Sequence, residues 1–335
     1  PTNWRDKLTM DAISEQVDIG ILVYPGAQLA AVYGLTDLFA VANRLAADLG
    51  ARRGPLLRVC HWSETPGRPL AVTFDSHPQA HYRPRAMIIP PSLTEEPTPE
   101  LVERFCADLR QWHREGALLV SVCAGVFFIA ASGLLDGRSA TTHWNFAQSL
   151  AERFPQVKVE ANLPVLEDGD IITSAGLMAW TELGLKLVAR FQGETLATET
   201  ARFLAVAPVP GTPCRATVFS PRLDHGDEAV LKVQHWLQSS GAREVSLALM
   251  AERAGLEQRT FLRRFRAATG LKPTEYCQQV RVGRACRMLE FTNRSIDQIA
   301  WGVGYQDPGA FRKVFHKVTG LAPGDYRKHL AAALG

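Results

Sequence analysis

At 335 residues, with 46% hydrophobic and 21% charged side chains, the chain has apolar surface for about two globular domains and too ordinary a charge content for a disordered one. Its net charge of +3 conceals two opposed parts: 227–335 hold 17 Lys and Arg against 10 Asp and Glu, a net of +7, whereas 1–226 hold 20 against 24, a net of −4. That balance fits a nucleic-acid-binding module joined to an acidic partner domain, and argues against a membrane protein or a disulfide scaffold.

The longest apolar run, Gly116–Ala131, is broken by Ser121 and Gly125 and falls short of the roughly 20 residues that span a bilayer. Residues 1–20 carry Arg5, Asp6, Lys7, Asp11 and Glu15 and lack the apolar centre of a secretory signal. Six cysteines without a C-x-x-C pair fit a reducing compartment. The expected location is the cytoplasm, with no membrane partner.

In chain order, residues 1–16 form an N-terminal extension, and Val17–Tyr24 reads as a buried strand ending at the turn Pro25-Gly26. Helical spacing follows in Leu35–Ala47, then strands at Leu56–His61 and Ala86–Ile89. Leu101, Phe105, Leu109 and Trp112 predict one amphipathic helix over Pro99–Glu115. Ala117–Val122 is a β-rich run, followed at once by the small-residue helix Gly125–Ser132. Short strands at Val157–Glu160, Val165–Leu166 and Ile171–Thr173 and a helix at Met178–Phe191 complete an alternation that predicts an α/β layered domain with a largely parallel sheet, over 17–207. Pro208, Pro210, Gly211, Pro213, Pro221 and Gly226 then mark 208–226 as a linker. Beyond it every apolar pattern is helical: Ala229–Ser239, Ser246–Ala254, Gln258–Ala268, Pro273–Glu290, Ser295–Gly302 and Gly309–Val318. The domain 227–335 is expected to be all-α.

This last third repeats itself. A shift of 50 residues places Phe261 on Phe311, Phe265 on Phe315, Thr269-Gly270-Leu271 on Thr319-Gly320-Leu321, Pro273 on Pro323 and Tyr276 on Tyr326. A shift of 49 aligns Ser246-Leu247 with Ser295-Ile296, Met250-Ala251 with Ile299-Ala300, and Gly255 with Gly304; the odd residue falls in the turn. Each copy has a serine able to cap a short helix, a glycine to end it, and a second helix gripped by a Phe pair at i and i+4. That is a helix-turn-helix, at about 246–268 and again at 295–318, whose second helix enters the major groove of double-stranded DNA. The expected reading faces are Gln258, Arg259, Arg263 and Arg264 in the first copy, and Gln306, Asp307, Arg312, Lys313 and Lys317 in the second. A single such match also fits a helical hairpin with a solvated basic face; two copies on a +7 segment weigh against that.

The segment Asp227–Leu334 resembles the DNA-binding domain of AraC/XylS-type transcriptional regulators, carried by Ser295-Ile296, Ile299-Ala300, Val303-Gly304-Tyr305, Phe311, Phe315, Thr319-Gly320, Pro323 and Tyr326. The resemblance implies seven helices, two helix-turn-helix units, and transcriptional control, usually activation, with RNA polymerase as a partner.

In the first domain, Leu118–Gly125 places Cys123 between a strand and a helix, the geometry of a nucleophile elbow. The same position also suits a small buried hydrophobe, as most free cysteines are. Ser121-Val-Cys123-Ala-Gly125, Gly133-Leu-Leu-Asp-Gly137-Arg138, Ala140-Thr-Thr-His143-Trp144 and Thr173-Ser-Ala-Gly176 together are similar to the DJ-1/PfpI, class I glutamine-amidotransferase-like domain found on many AraC-type regulators. The likeness implies a flavodoxin-like sandwich and often a homodimer. It also implies a cysteine (here Cys123) near a histidine (His143) and an acidic residue after the first strand. That acidic position is Ala31 here; Asp37 is the nearest carboxylate along the helix. Without an acid to share a proton with the thiol, Cys123 and His143 read as the vestige of an elbow in a non-enzyme.

The expected effector pocket comprises Cys123, Ala124, His143, Trp144, Ser174, Ala175 and Asp37, with Trp180 a further candidate, although a buried aromatic such as Trp144 or Trp180 is more often plain core. His61, His77 and His81 fall on loops with no i, i+4 pair, so neither a metal site nor a cofactor is expected. The resulting expectation is a transcriptional regulator, acting as an activator and controlled by a small metabolite, with amino-acid or amine derivatives suggested by the resemblance. The alternatives are a cysteine-dependent hydrolase or hydratase, and a redox sensor using Cys123.

Overall fold

A computed structural model describes residues 16–48, 56–65, 68–79, 81–93, 96–161, 163–206, 219 and 221–334. Its first part is built on a seven-stranded sheet ordered β3-β2-β1-β4-β5-β9-β8. The strands are β1 (Val17–Val23), β2 (Leu57–Thr65), β3 (Arg68–Asp75), β4 (Pro84–Ile89), β5 (Leu118–Val122), β8 (Val165–Asp168) and β9 (Ile171–Ser174), with the two-residue pair β6 (Ser139–Ala140) and β7 (Lys158–Val159) apart from it. The five central strands are parallel, and β3 and β8 are antiparallel at the edges. Every residue of β5 is buried, as befits a strand covered on both faces. Helices α1 (Leu29–Asp48), α6 (Trp180–Gln192) and α7 (Glu194–Phe203) pack together in one group; α2 (Pro99–Glu103), α3 (Cys106–Arg114) and α4 (Val126–Ala131) form another, and α5 is Trp144–Arg153. This is a flavodoxin-like sandwich. The chain runs outward from β1 through β2 and β3, then returns to β4 on the other side of β1, so a topological switch opens at the C-terminal ends of β1 and β4.

Several elements differ from the sequence expectation. The helix expected over Pro99–Glu115 is two, separated by a turn at Arg104-Phe105, where the buried Phe105 ring meets Phe128. Strand β3 went unread because its outward side chains, including Val72 and Phe74, are exposed on a sheet edge. His61 lies in β2 and is buried, with Thr36 Oγ1 2.8 Å from its Nε2, rather than on a loop. The strand expected at Val157–Glu160 shrinks to Lys158–Val159.

The C-terminal part is helical throughout: α8 (Glu228–Ser240), α9 (Leu247–Ala254), α10 (Gln258–Thr269), α11 (Pro273–Phe291), α12 (Ile296–Gly302), α13 (Pro308–Thr319) and α14 (Pro323–Leu334). It has two small cores. Val230, Val233, Leu237, Met250, Phe261 and Phe265 form the first with Tyr276 and Val280 of α11. Ile299, Val303, Phe311 and Phe315 form the second with Val282, Ala285 and Leu289 of the same helix. The long helix thus faces one core with its first half and the other with its second. Of the expected linker, Phe219 and 221–226 are described; 208–218 and Ser220 lie outside the described residues. Among the described residues no helix is long and apolar enough to cross a membrane.

Candidate nucleic-acid interface and effector site

The duplicated motif is duplicated atom by atom. Ser246 Oγ accepts from Leu249 N at 3.1 Å and Ser295 Oγ from Gln298 N at 3.2 Å, opening α9 and α12. Gly255 and Gly304, with φ of 65° and 90°, turn the chain toward the second helix of each unit. Phe261 and Phe265 meet with tilted rings at 5.3 Å and Phe311 and Phe315 at 5.5 Å, all four fully buried. Phe265 meets Tyr276 edge-on as Phe315 meets Tyr326. Thr269 and Thr319 Oγ1 donate to the carbonyls of Phe265 and Phe315. These anchors orient α10 and α13 with their opposite faces outward.

On the outer face of α10, Gln258, Arg259 and Arg263 are exposed, together with Arg266, which sequence reasoning missed although it lies one turn beyond Leu262 and Arg263. Arg264 is placed differently. Its Nε and Nη2 donate to Asp227 at 2.8 and 2.7 Å, while the same carboxylate caps α8 through Val230 N. It ties α10 to α8 instead of standing free. Around α13, Gln306, Arg312, Lys313 and Lys317 are exposed, and so is His316, also missed. Arg312 lies 2.5 Å from Asp297, an exposed pair that a phosphate can displace at little cost. Asp307 accepts from Gly309 N and Ala310 N at 2.8 and 3.0 Å, so its carboxylate is used to start α13.

In the first domain Cys123 is buried and follows β5 at φ 52°, a left-handed value that strains a residue with a Cβ. It opens a single 3-10 turn, Cys123–Gly125, leading into α4. Burial pushes its thiol pKa up, against the smaller opposing effect of the Ala124 and His143 backbone N–H groups. Thr142 Oγ1 donates to the Cys123 carbonyl at 3.0 Å. The His143 side chain is turned to the start of α5, where its Nδ1 accepts from Asn145 N at 3.3 Å. Ala31 is fully buried and brings no proton-sharing group. Position 31 therefore supplies no acid to the thiol.

The other expected pocket residues divide. Ala124 is buried beside Cys123; Ser174 is buried with its Oγ donating to the Ser121 carbonyl at 3.3 Å, and Ala175 N bonds the Pro164 carbonyl. Trp144 is 74% exposed, against His143, and Asp37 is exposed on α1. Trp180 packs over Gly34 of α1, where a Cβ would come within 2.4 Å of its ring. A cleft of about 750 Å³ lies at the switch point, walled by Tyr24, Ser92, Glu96, Thr98, Asn145 and Phe146 among others. Neither Cys123 nor Ser174 lines it. Glu96, on the cleft wall, is ion-paired with Arg153 at the end of α5. Gln28, just before α1, is buried with its Oε1 unpartnered.

Three side chains at the opposite edge of the sheet carry donor atoms within 4.8 Å of one another: His113, Asp170 and His235. A cation there would lie beside Arg138, whose Nη2 is 2.6 Å from Asp170 Oδ1, and between two imidazoles stacked at 4.0 Å and 30°. A metal binds in the plane of each ring it ligates, and stacked rings offer it poor angles. The group is better described as a buried hydrogen-bonded ion cluster.

An open α/β sandwich followed by two helix-turn-helix units with cationic outer faces defines a DNA-binding regulator of two parts. Residues 250–329 match the helix-turn-helix domain family and residues 91–190 the DJ-1/PfpI family. The chain is 30% identical over 222 residues to the HTH-type transcriptional regulator GlxA of Rhizobium meliloti, covering 66% of this chain and 68% of that protein. It is 25% identical over 317 residues to the HTH-type transcriptional regulator CdhR of Pseudomonas aeruginosa, covering 92% and 91%. A crystal structure of an AraC family transcriptional regulator from Pseudomonas putida matches at 20% identity and a TM-score of 0.43, over 56% of this chain and 99% of that one. The chain belongs to the AraC-type helix-turn-helix transcriptional regulators that carry a DJ-1/PfpI domain.

Proposed function

We propose that the chain is a metabolite-controlled regulator that reads two successive major-groove segments with α10 and α13, and that its first domain binds the controlling molecule without transforming it. The observation that carries the DNA reading is the repeated exposed cationic face, Arg259, Arg263 and Arg266 in one unit and Arg312, Lys313 and Lys317 in the other, each backed by its own buried Phe pair. Copies one helical turn apart on DNA are separated by about 34 Å, and the 19-residue helix α11 joins the two readers. The cleft at the switch point, with Ser92, Glu96, Thr98 and Asn145 on its wall, suits a small polar molecule, such as an amino-acid or amine derivative.

Absence of catalysis is supported by the neutral buried thiol, the His143 imidazole committed to α5, and alanine at position 31. Control then works by population shift: about 1–3 kcal/mol of differential affinity between two arrangements of the protein is enough. The regulator acts as a homodimer and an activator that contacts RNA polymerase. A thermal-shift screen of the full chain against amino acids, amines and their breakdown products tests the sensing role. One compound raising the melting temperature by mass action, and changing DNA affinity, is the expected result. Conversion of that compound to a product, abolished by Cys123→Ala, would overturn it in favour of an enzyme.

A further inference from the structure

The two domains meet at one end of the sheet, and it is the end away from the proposed effector cleft. The connection between β8 and β9, Asp168-Gly169-Asp170, projects from the sensing domain into a notch between α8 and α11. Asp170 Oδ2 receives two imidazoles: His113 of α3 at 3.0 Å, and His235 of α8, which crosses from the other domain. Asp168 Oδ1 faces Arg287 at 3.1 Å and Arg284 at 3.8 Å, both on α11, and Arg287 also donates to the Glu167 carbonyl. Gly169, at φ 72°, lies so close to Gln238 of α8 that a Cβ would come within 2.2 Å of its Oε1. Only about 20 Å³ of space remains between tip and notch, room for about one water. The opposed charges read from the sequence, −4 and +7, thus make contact here.

Which partners stay home decides whether this contact can open. Arg138, on the sensing side, lies 2.6 Å from Asp170 and 3.7 Å from Asp168. His113 also belongs to that side. Both acids therefore keep a cation or donor when the other domain leaves, and no bare buried charge is created, the event that makes breaking a buried pair prohibitive. On the DNA-binding side, Arg284 retains the Gln238 and Ser239 carbonyls. Arg287 and His235 make the contacts described above only across the junction. Meanwhile α10 and α13 keep their cationic faces exposed with the junction closed, so it restrains the readers' position and does not cover them.

We infer that Asp168-Gly169-Asp170 is an interdomain latch: a separable charged clasp, on α8 and on the helix α11 that spaces the two DNA readers, through which the sensing domain fixes where those readers stand. Strand β9 runs from the latch at Asp170 to Ser174 at the other end of the sheet, four residues away, giving the sensing end a short rigid connection to it. The inference builds on the sensing role proposed above, but the latch itself is tested without any effector.

Small-angle scattering of the full chain compares the parent with Arg287→Glu/His235→Ala, two changes that leave the interior of each domain intact. Opening should raise the radius of gyration by roughly 3–6 Å, as two compact bodies of these sizes moving apart would. Arg287→Lys, which keeps the charge, should remain closed. Circular dichroism unchanged from the parent confirms that both domains stay folded in the double variant; if it does not, Arg287→Glu alone is read in the same way. A compact double variant, or single variant where that one is used, overturns the latch. Opening of the parent by a chelator alone would also overturn it, since that would make the cluster a metal site. An open variant supports the latch even where no effector is ever found, which separates its fate from that of the sensing proposal.

Discussion

Phe311→Ala removes a ring with no exposed surface from the smaller core of the second helix-turn-helix. Large-to-small changes of this kind cost about 3–5 kcal/mol. A folding unit of some 50 residues holds only about 2.5–7.5 kcal/mol in total, at about 0.05–0.15 kcal/mol per residue. The variant is thus expected to unfold most of α12 and α13 at 25 °C. The first unit keeps its own core, in which Phe261, Phe265 and Tyr276 are untouched. Hydrogen exchange followed by mass spectrometry should show protection lost over 296–319 and retained over 247–269. On DNA, the protected region should shrink from two major-groove segments to one. Loss of protection in both units together would refute the division into two cores, and an unchanged footprint would refute the role of α13 as a reader.

Arg263→Ala should weaken specific DNA binding by about 1–3 kcal/mol if the side chain reads a base, whereas Arg264→Ala should lower thermal stability with the salt dependence of binding unchanged; equal effects on DNA affinity would mean the pairing with Asp227 gives way on DNA. Burial holds the Cys123 thiol above its ordinary range, so alkylation by iodoacetamide near pH 7 should be slow, and rapid modification at that cysteine by mass spectrometry would contradict a neutral thiol. Burial alone would raise the Glu167 carboxyl, but Lys186 and Arg190 outweigh it and hold it at about 2, below its unfolded value near 4.5. The resulting stabilisation, of order 3 kcal/mol, is complete above the unfolded value and fades as pH falls toward 2. In acid titration monitored by circular dichroism, Glu167→Gln should therefore flatten that part of the profile, and an unaltered curve would remove Glu167 from the account.

Local pattern made the C-terminal domain readable. Caps at Ser246 and Ser295, turns at Gly255 and Gly304 and Phe pairs at i, i+4 each act within a few residues, and repetition multiplied their weight. Even there, Arg264 looks like a DNA-facing group in sequence, because spacing reveals a helical face but not which neighbour a charge meets across 37 residues, and Asp307 is taken up locally as the cap of α13. In the first domain the strand–helix alternation and the Cys123 elbow were legible. The cleft was not, since Tyr24, Ser92, Glu96 and Asn145 come together only through tertiary packing, and neither was β3, whose exposed edge blurs the alternation. The latch was invisible for the same reason: His113, Asp170 and His235 are 57 and 65 residues apart and share no motif.

The central claim is paired groove reading by α10 and α13, and selection from a pool of random-sequence duplexes with the full chain tests it most directly. Enriched sequences should contain two short elements about one helical turn (~10 bp) apart, bound with an affinity that drops steeply between about 50 and 200 mM salt. A pool that emerges without any common element, or an affinity indifferent to salt, would contradict it.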